Sequence, residues 1–194
     1  MDAPTPRRVA AWLLAGVALW LATDASWLHA KAWLAQQLLR DAWQDTLTTQ
    51  STQPPWPWAD THPVARLTVA VHGIDQIVLA GDSGRTLAFG PGWAEASAAP
   101  GTRGNTVISG HRDTHFAFLR ELSIGDEIVL ESAQGLAAFR VASLRVADAQ
   151  LESIGLQGNA ALLLVTCWPF DAVVPGGPLR YVVRAEPVLT AGND

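Results

Sequence analysis

Residues Leu162–Phe170 read LLLVTCWPF. Leu162 to Val165 have the composition of a buried strand, and the run ends in the only cysteine of a 194-residue chain. In such a run a cysteine is ordinarily a small hydrophobe. Pro169, two residues on, forbids the strand from continuing in the centre of a sheet. Cys167 is therefore placed at a strand end, where a loop can open onto a cleft. With no second cysteine there is no internal disulfide, so the fold must stand on its core. A single thiol also suits an oxidising compartment, where spare thiols would mispair.

The segments around this run read as β. RLTVAVHG alternates, with Leu67, Val69 and Val71 on one face and Arg66, Thr68 and His72 on the other. DQIVLAGD is a second short run, and RTLAF before Gly90-Pro91-Gly92 reads as a third. NTVIS, DEIVL, AAFRVASLRV, ALLLVT and LRYVVRA come after it, each bounded by Gly, Asp, Asn or Pro. Short strands with turn signals between them predict an all-β barrel or sandwich. HFAFLREL is the best short helix of this part. His72 reads as an outward-facing surface histidine without a partner.

The front of the chain differs. Arg7 and Arg8 precede VAAWLLAGVALWLA, fourteen residues without a charge. That is shorter than the ~20 residues of an ordinary spanning helix. The run reads as an uncleaved anchor rather than a signal peptide, because Ala22-Thr23-Asp24 is a poor cleavage site. Arginines ahead of the run place the N-terminus in the cytoplasm and everything after it outside. Five of the nine Trp (Trp12, Trp20, Trp27, Trp33, Trp43) lie in this part, as suits a membrane interface. Beyond Asp24, Leu28, Ala32, Ala35, Leu39 and Ala42 form an apolar stripe of helical period. The stripe reads as a helix packed on its own domain, with a stalk on the membrane or a partner helix as the alternative. Thr48–Pro63 carries Pro54, Pro55, Pro57 and Pro63 and predicts an extended linker, with Trp56 and Trp58 packed on the β domain after it. The expected division is thus 1–47 for anchor and juxtamembrane helix, 48–63 for linker and 64–194 for the β domain. A formal net charge of -5 argues against nucleic acid as a partner.

A thiol works as a nucleophile only as thiolate, so a base and a cation are sought nearby. In GNTVISGHRDTHFAFLREL, His111 follows Gly110 at a strand end and projects into a cleft. HRDTH also spaces His111 and His115 as a zinc pair with Cys167 as third ligand. Arg112, however, stands where a metalloprotease needs Glu, and Gly110 breaks the helix that would align the pair. His115 is expected to support the site rather than act directly. In PGGPLRYVVRAE, Arg180 opens the last strand, with forked donors for a carbonyl or carboxylate. Arg184 shares its face and reads as structural. Asp113 is a candidate to orient His111 or Arg112, or to cap a turn. Asp171 reads as a loop residue on the rim.

These three segments, from about Trp56 to Val188, resemble the sortases, membrane-anchored cysteine transpeptidases. Thr166-Cys167 closes LLLVTC, Gly110-His111 follows a short strand, and Arg180 opens LRYVV. LAGDSGRTLAFGPGW and GHRDTHF are most similar to the class GN, Gram-negative branch. The usual family pattern is Thr-Leu-x-Thr-Cys, and Leu163-Leu164-Val165-Thr166-Cys167 lacks its first Thr. The resemblance implies a closed eight-stranded sortase-type barrel with short helices, preceded by an N-terminal transmembrane or amphipathic helix. It implies His111, Cys167 and Arg180 as the catalytic set, with Thr166 beside them. The implied substrate is an exported protein with a C-terminal LPxTG-like signal. It is cut between Thr and Gly through a thioacyl intermediate on Cys167 and passed to an amine acceptor at the cytoplasmic membrane. No metal or cofactor is implied, and no acidic cluster has calcium-loop spacing. The alternatives are an exported cysteine hydrolase or peptidase using the same residues, and a non-catalytic peptide-binding barrel.

Overall fold

The computed structural model describes residues 6–154, 160–174 and 176–188. Its strands are β1 (Pro63–Val69), β2 (Ile74–Ala80), β3 (Gly92–Trp93), β4 (Thr106–Ser109), β5 (Glu127–Ser132), β6 (Gly135–Asp148), β7 (Leu162–Cys167) and β8 (Leu179–Pro187). They close into a barrel in the order β1-β2-β3-β4-β7-β8-β6-β5. Most neighbours are antiparallel, but β2 pairs with β3 and β4 pairs with β7 in parallel.

Side chains one residue apart point to opposite faces of a strand. In β7, Leu162 and Leu164 enter the barrel interior with Ile108, Val183, Ala185, Leu67 and Leu130. Leu163 and Val165 face outward and pack with Val107, Ala147 and Val182, against Ala94 and Ile154. Both faces of β7 are buried, which is why its sequence is a continuous apolar run instead of an alternating one. By the same alternation Thr166 points inward and Cys167 outward.

Helix α1 runs Pro6–Thr49, and the chain divides into two compact units, residues 1–37 and 38–194. Within the second unit, Leu39 and Trp43 of α1 pack on Ile77 and Leu79 of β2, with Leu47 and Phe89 beside them. Trp43 is 1% exposed and donates its indole N–H to Glu131 Oε2 at 3.2 Å. The apolar stripe therefore packs on its own domain at Leu39 and Ala42, whereas Ala32 is exposed and the Leu28 side chain lies outside the described residues. In the first unit, Trp12, Leu13, Leu14, Val17, Leu19, Trp20 and Leu21 are all exposed. The expected transmembrane helix finds no support here: among the described residues no helix is long and apolar enough to cross a membrane. The uncharged run of fourteen residues spans only ~21 Å as helix, against a hydrocarbon core of ~30 Å.

Other local expectations are corrected. RTLAF is not a strand. Ser83 caps a short helix, α2 (Gly84–Leu87), by accepting the Thr86 N–H on its Oγ. That local cap outweighs the strand propensity of Thr-Leu. The third strand is instead Gly92–Trp93, where a Cβ on Gly92 would lie 2.2 Å from the Gly81 carbonyl oxygen. HFAFLREL forms only a 3-10 turn, Ala117–Arg120. Strand β1 ends at Val69, and His72 sits on a following 3-10 turn, its side chain largely buried, with Nε2 3.3 Å from Asp126 Oδ2. It thus has the partner that its sequence context did not reveal. Trp56 packs edge-on against Phe89 at 5.3 Å, while Trp58 is 82% exposed.

Trp43→Ala should lower the stability of the second unit by about 3–5 kcal/mol, as a large buried side chain is removed. Urea unfolding followed by circular dichroism measures this; a loss below about 1 kcal/mol would mean that the end of α1 adds nothing to the barrel.

Candidate active site

Strands β4 and β7 are in parallel register, Thr106 with Leu162 through Ser109 with Val165. Their C-terminal ends therefore finish at one edge, and the chain leaves β4 into Gly110-His111 beside Thr166-Cys167. The Gly110 N–H donates to the Val165 carbonyl at 3.1 Å. The buried Thr166 hydroxyl donates to the Gly110 carbonyl at 2.7 Å. Glycine is required at 110 because a Cβ there would lie 2.6 Å from the Phe116 ring. Phe116 itself is fully buried in the barrel core. After the chain leaves the sheet, the His111 carbonyl accepts from the N–H groups of Thr114 and Phe116, which folds the next residues into a turn.

Strand β8 runs antiparallel to β7, and Cys167 lies directly opposite Arg180. The Trp168 N–H donates to the Leu179 carbonyl, so 168 and 179 form a hydrogen-bonded pair. The neighbouring pair, Cys167 and Arg180, is then of the non-hydrogen-bonded kind, whose side chains stand closer together. Arg180 Nη1 donates to the carbonyls of Gly177 and Leu179 at 2.8 and 2.9 Å. These bonds hold the guanidinium at the strand mouth, and among the described residues its other nitrogens have no protein partner.

Cys167, His111 and Arg180 line one cavity of about 270 Å3, together with Thr166, Gly110, Ser109, Val165, Leu87 and Asp82. Cys167 is half-buried and His111 exposed. A second, more apolar hollow of about 250 Å3 continues along the outer face of β4 and β7 and shares Asp82, Ser109, Val165 and Arg180. The arrangement joins a potential nucleophile, an imidazole able to move protons and a forked cation within a concave site flanked by an apolar trough. That is the equipment for attack on a carbonyl in an extended peptide.

The other expected residues separate. His115 does not line this cavity. It lies on another hollow of about 340 Å3 with His72, Gln76, Phe118 and Arg120, and its backbone carbonyl accepts from Gln76 Nε2. Burial pushes its pKa below the usual histidine value; the charge of His111 adds to this and a backbone hydrogen bond with Ala88 opposes it. Asp113 Oδ1 is 3.4 Å from Arg112 Nε, so of its two expected partners it takes Arg112. Arg184 Nε lies 3.6 Å from Glu186 Oε1, an ion pair away from the cleft. Asp171 is exposed and does not line the cavity.

Two features were missed from the sequence. Asp82 enters the rim because the Gly81–Asp82 backbone is packed tightly against Gly92. Arg112 is 6% exposed and reaches across to the loop after Cys167. An arginine next to a histidine gives no sign of burial in sequence, because its carbonyl partners are contributed by a segment almost sixty residues away.

The closed mixed barrel thus brings a cysteine, a histidine and an arginine to one edge. The sortase-domain family model matches residues 67–188, well over half of the chain, and the chain belongs to the sortase family. It is 33% identical over 113 residues to sortase D of Bacillus subtilis (strain 168), a match that covers 57% of each protein. The match thus spans little more than half the length of that relative. Among solved structures, a sortase D5 transpeptidase of Clostridium perfringens superposes with a TM-score of 0.65 at 19% identity, over 80% of this chain and 98% of its own. Sortase A of Corynebacterium diphtheriae gives 0.59 at 22%, over 82% and 86% of the two chains. These structural likenesses bear on the fold.

Because the folded-state pKa of His115 lies below its unfolded value, the unfolded chain binds the proton first as pH falls. Its contribution to stability is complete above about pH 6.5 and is lost on acidification. His62, whose pKa burial also lowers against an opposing pull from Glu95, acts in the same direction. The urea midpoint should therefore drop between about pH 7.5 and about pH 5.5, and His115→Gln should make that drop smaller. An unchanged slope in the variant would show that His115 titrates alike in both states.

Proposed function

We propose that the protein is a cysteine transpeptidase that cleaves a C-terminal LPxTG-like sorting signal between Thr and Gly. The observation that carries this reading is the pairing of Cys167 with Arg180 across β7 and β8, at the edge where His111 leaves β4. In the first half-reaction the Cys167 thiolate adds to the Thr carbonyl of the signal. Arg180 holds the substrate and donates to the oxygen as it gains negative charge, an effect worth ~3 kcal/mol for a well-aimed donor. His111 protonates the Gly nitrogen as the C–N bond breaks, leaving a thioester on Cys167. An incoming amine then adds to the thioester carbonyl and gives up a proton to His111, and its new amide bond replaces the C–S bond. No step requires a metal or a cofactor. Water in place of the amine would give hydrolysis, so assays with and without an amine acceptor separate transfer from a peptidase activity.

The substrate in this reading is an exported protein bearing the signal. Placing the chain in the class GN branch is part of this proposal and rests on the likeness of LAGDSGRTLAFGPGW and GHRDTHF to that branch. The working division is anchor and juxtamembrane helix 1–47, linker 48–63 and barrel 64–194. The apolar front of α1, with Trp12, Trp20 and five exposed aliphatic side chains between Leu13 and Leu21, attaches the chain to the cytoplasmic membrane. We place the barrel on the outer side from Arg7 and Arg8 ahead of the apolar run. A reporter fused after Asp194 should be active outside, and the chain should stay with the membrane through carbonate washing. Activity only in the cytoplasm would overturn this placement.

Cys167→Ala should abolish transfer, a loss of at least ~10³ in rate because members of such a set act as a unit, while the melting temperature barely moves. His111→Ala should be nearly as damaging and His115→Ala milder. Arg180→Lys should impair turnover more than Arg184→Lys, since lysine keeps the charge and loses the fork. Intact mass after mixing with a signal peptide should show the thioester on the parent protein and none on Cys167→Ala. A Cys167→Ala protein that melts several degrees lower and still transfers would make Cys167 a packing residue.

A further inference from the structure

Among the described residues Arg112 is the one buried arginine, with its side chain 7% exposed. A guanidinium taken out of water is costly unless hydrogen bonds and charge compensate it. Here Nη1 donates to the Pro169 carbonyl and Nη2 to the Ala172 carbonyl, both at 2.7 Å. Nε faces Asp113 Oδ1 at 3.4 Å. The two carbonyls belong to the turn after Cys167, where the Ala172 N–H itself donates to the Pro169 carbonyl. One planar fork thus grips both ends of that turn, a geometry that an ammonium on a flexible stem does not reproduce.

This grip has a counterpart on the other side of the reacting pair. Gly110, before His111, is bonded to Val165 and Thr166, before Cys167. Arg112, after His111, is bonded to Pro169 and Ala172, after Cys167. His111 and Cys167 are therefore each flanked on both sides by residues tied to the flanks of the other. The first tie continues the parallel ladder. The second lies beyond the end of the ladder, where Pro169 prevents further strand pairing and no backbone bond can replace it.

We infer that Arg112 is a positioning residue for the reaction: its fork locks the turn after Cys167 to the chain that carries His111 and so sets the distance between imidazole and sulfur. The inference rests on the reading of Cys167 and His111 as the reacting pair. Arg112 need touch no substrate. Loosening it lowers the rate of bond making and breaking and leaves the binding of the signal in the trough unchanged.

The test compares the full-length protein with Arg112→Lys and Arg112→Ala. The probes are an internally quenched peptide containing Leu-Pro-Ala-Thr-Gly and a triglycine acceptor. Arg112→Lys should lose about 10²-fold in kcat, the scale of a small misplacement at a reacting centre, with KM within about twofold of the parent value. In Arg112→Ala, added guanidinium ion should restore activity several-fold and ammonium ion should not, because only guanidinium bridges both carbonyls. His111→Ala should show no such rescue. If Arg112→Lys keeps the parental kcat, or its loss falls on KM, the inference is overturned while the reading of the site stands. If both Arg112 variants are unfolded at the assay temperature, Arg112 supports the barrel as a whole and the inference is overturned. If the parent protein forms no thioester on Cys167 with the peptide, the reading of the site fails and the inference fails with it.

Discussion

The parallel pairing of β4 with β7 is the constraint on which the site depends. In an antiparallel pair the two C-terminal ends would lie at opposite edges of the sheet. Run in parallel, they bring residue 111 and residue 167 to the same edge without any contact between the two side chains being needed to hold them there. The register is secured from both faces of β7. Leu162 and Leu164 bind it to the barrel interior, and Leu163 and Val165 bind it to the outer cluster. A slip of one residue would exchange the two sets and turn Cys167 into the core.

A strand end is a poor place to hold a side chain in position, because the ladder stops there. The structure supplies other restraints. Trp168 stacks on Tyr181 at 5.6 Å, Phe170 meets both rings edge-on, and Arg120 lies over Phe170 at 5.3 Å. These contacts fix the turn from the side of β8, and Arg112 fixes it from the side of β4. Between them, Cys167 is half-buried at the strand end.

The position of Arg180 follows from chain direction as well. Strand β8 begins where β7 ends, so its first residues face the last residues of β7 and the cation arrives opposite the thiol. Arg184, four residues further along the same face, is carried away from the edge and settles beside Glu186. Two arginines of equal charge on one strand thus differ in surroundings through distance from the strand mouth.

Much of this was legible before any fold was known. The isolated cysteine before Trp-Pro, the Gly-His after a short strand and the arginine opening the last strand carry local marks that survive without tertiary context. The turn residues between short runs indicated the β architecture. Local chemistry misled where a cap competed with a strand, as at Ser83. It was silent where the partner was distant, as for His72 with Asp126, Trp43 with Glu131 and Arg112 with Pro169 and Ala172. The sequence by itself determined that a thiol, an imidazole and a guanidinium stand at strand ends, because Pro, Gly and hydrophobic run length act over a few residues. Only the tertiary structure decided that those ends meet at one edge, that Arg112 is buried and that His115 faces a different hollow. Strand order, direction and register are set by long-range packing, and no neighbour in the chain records them.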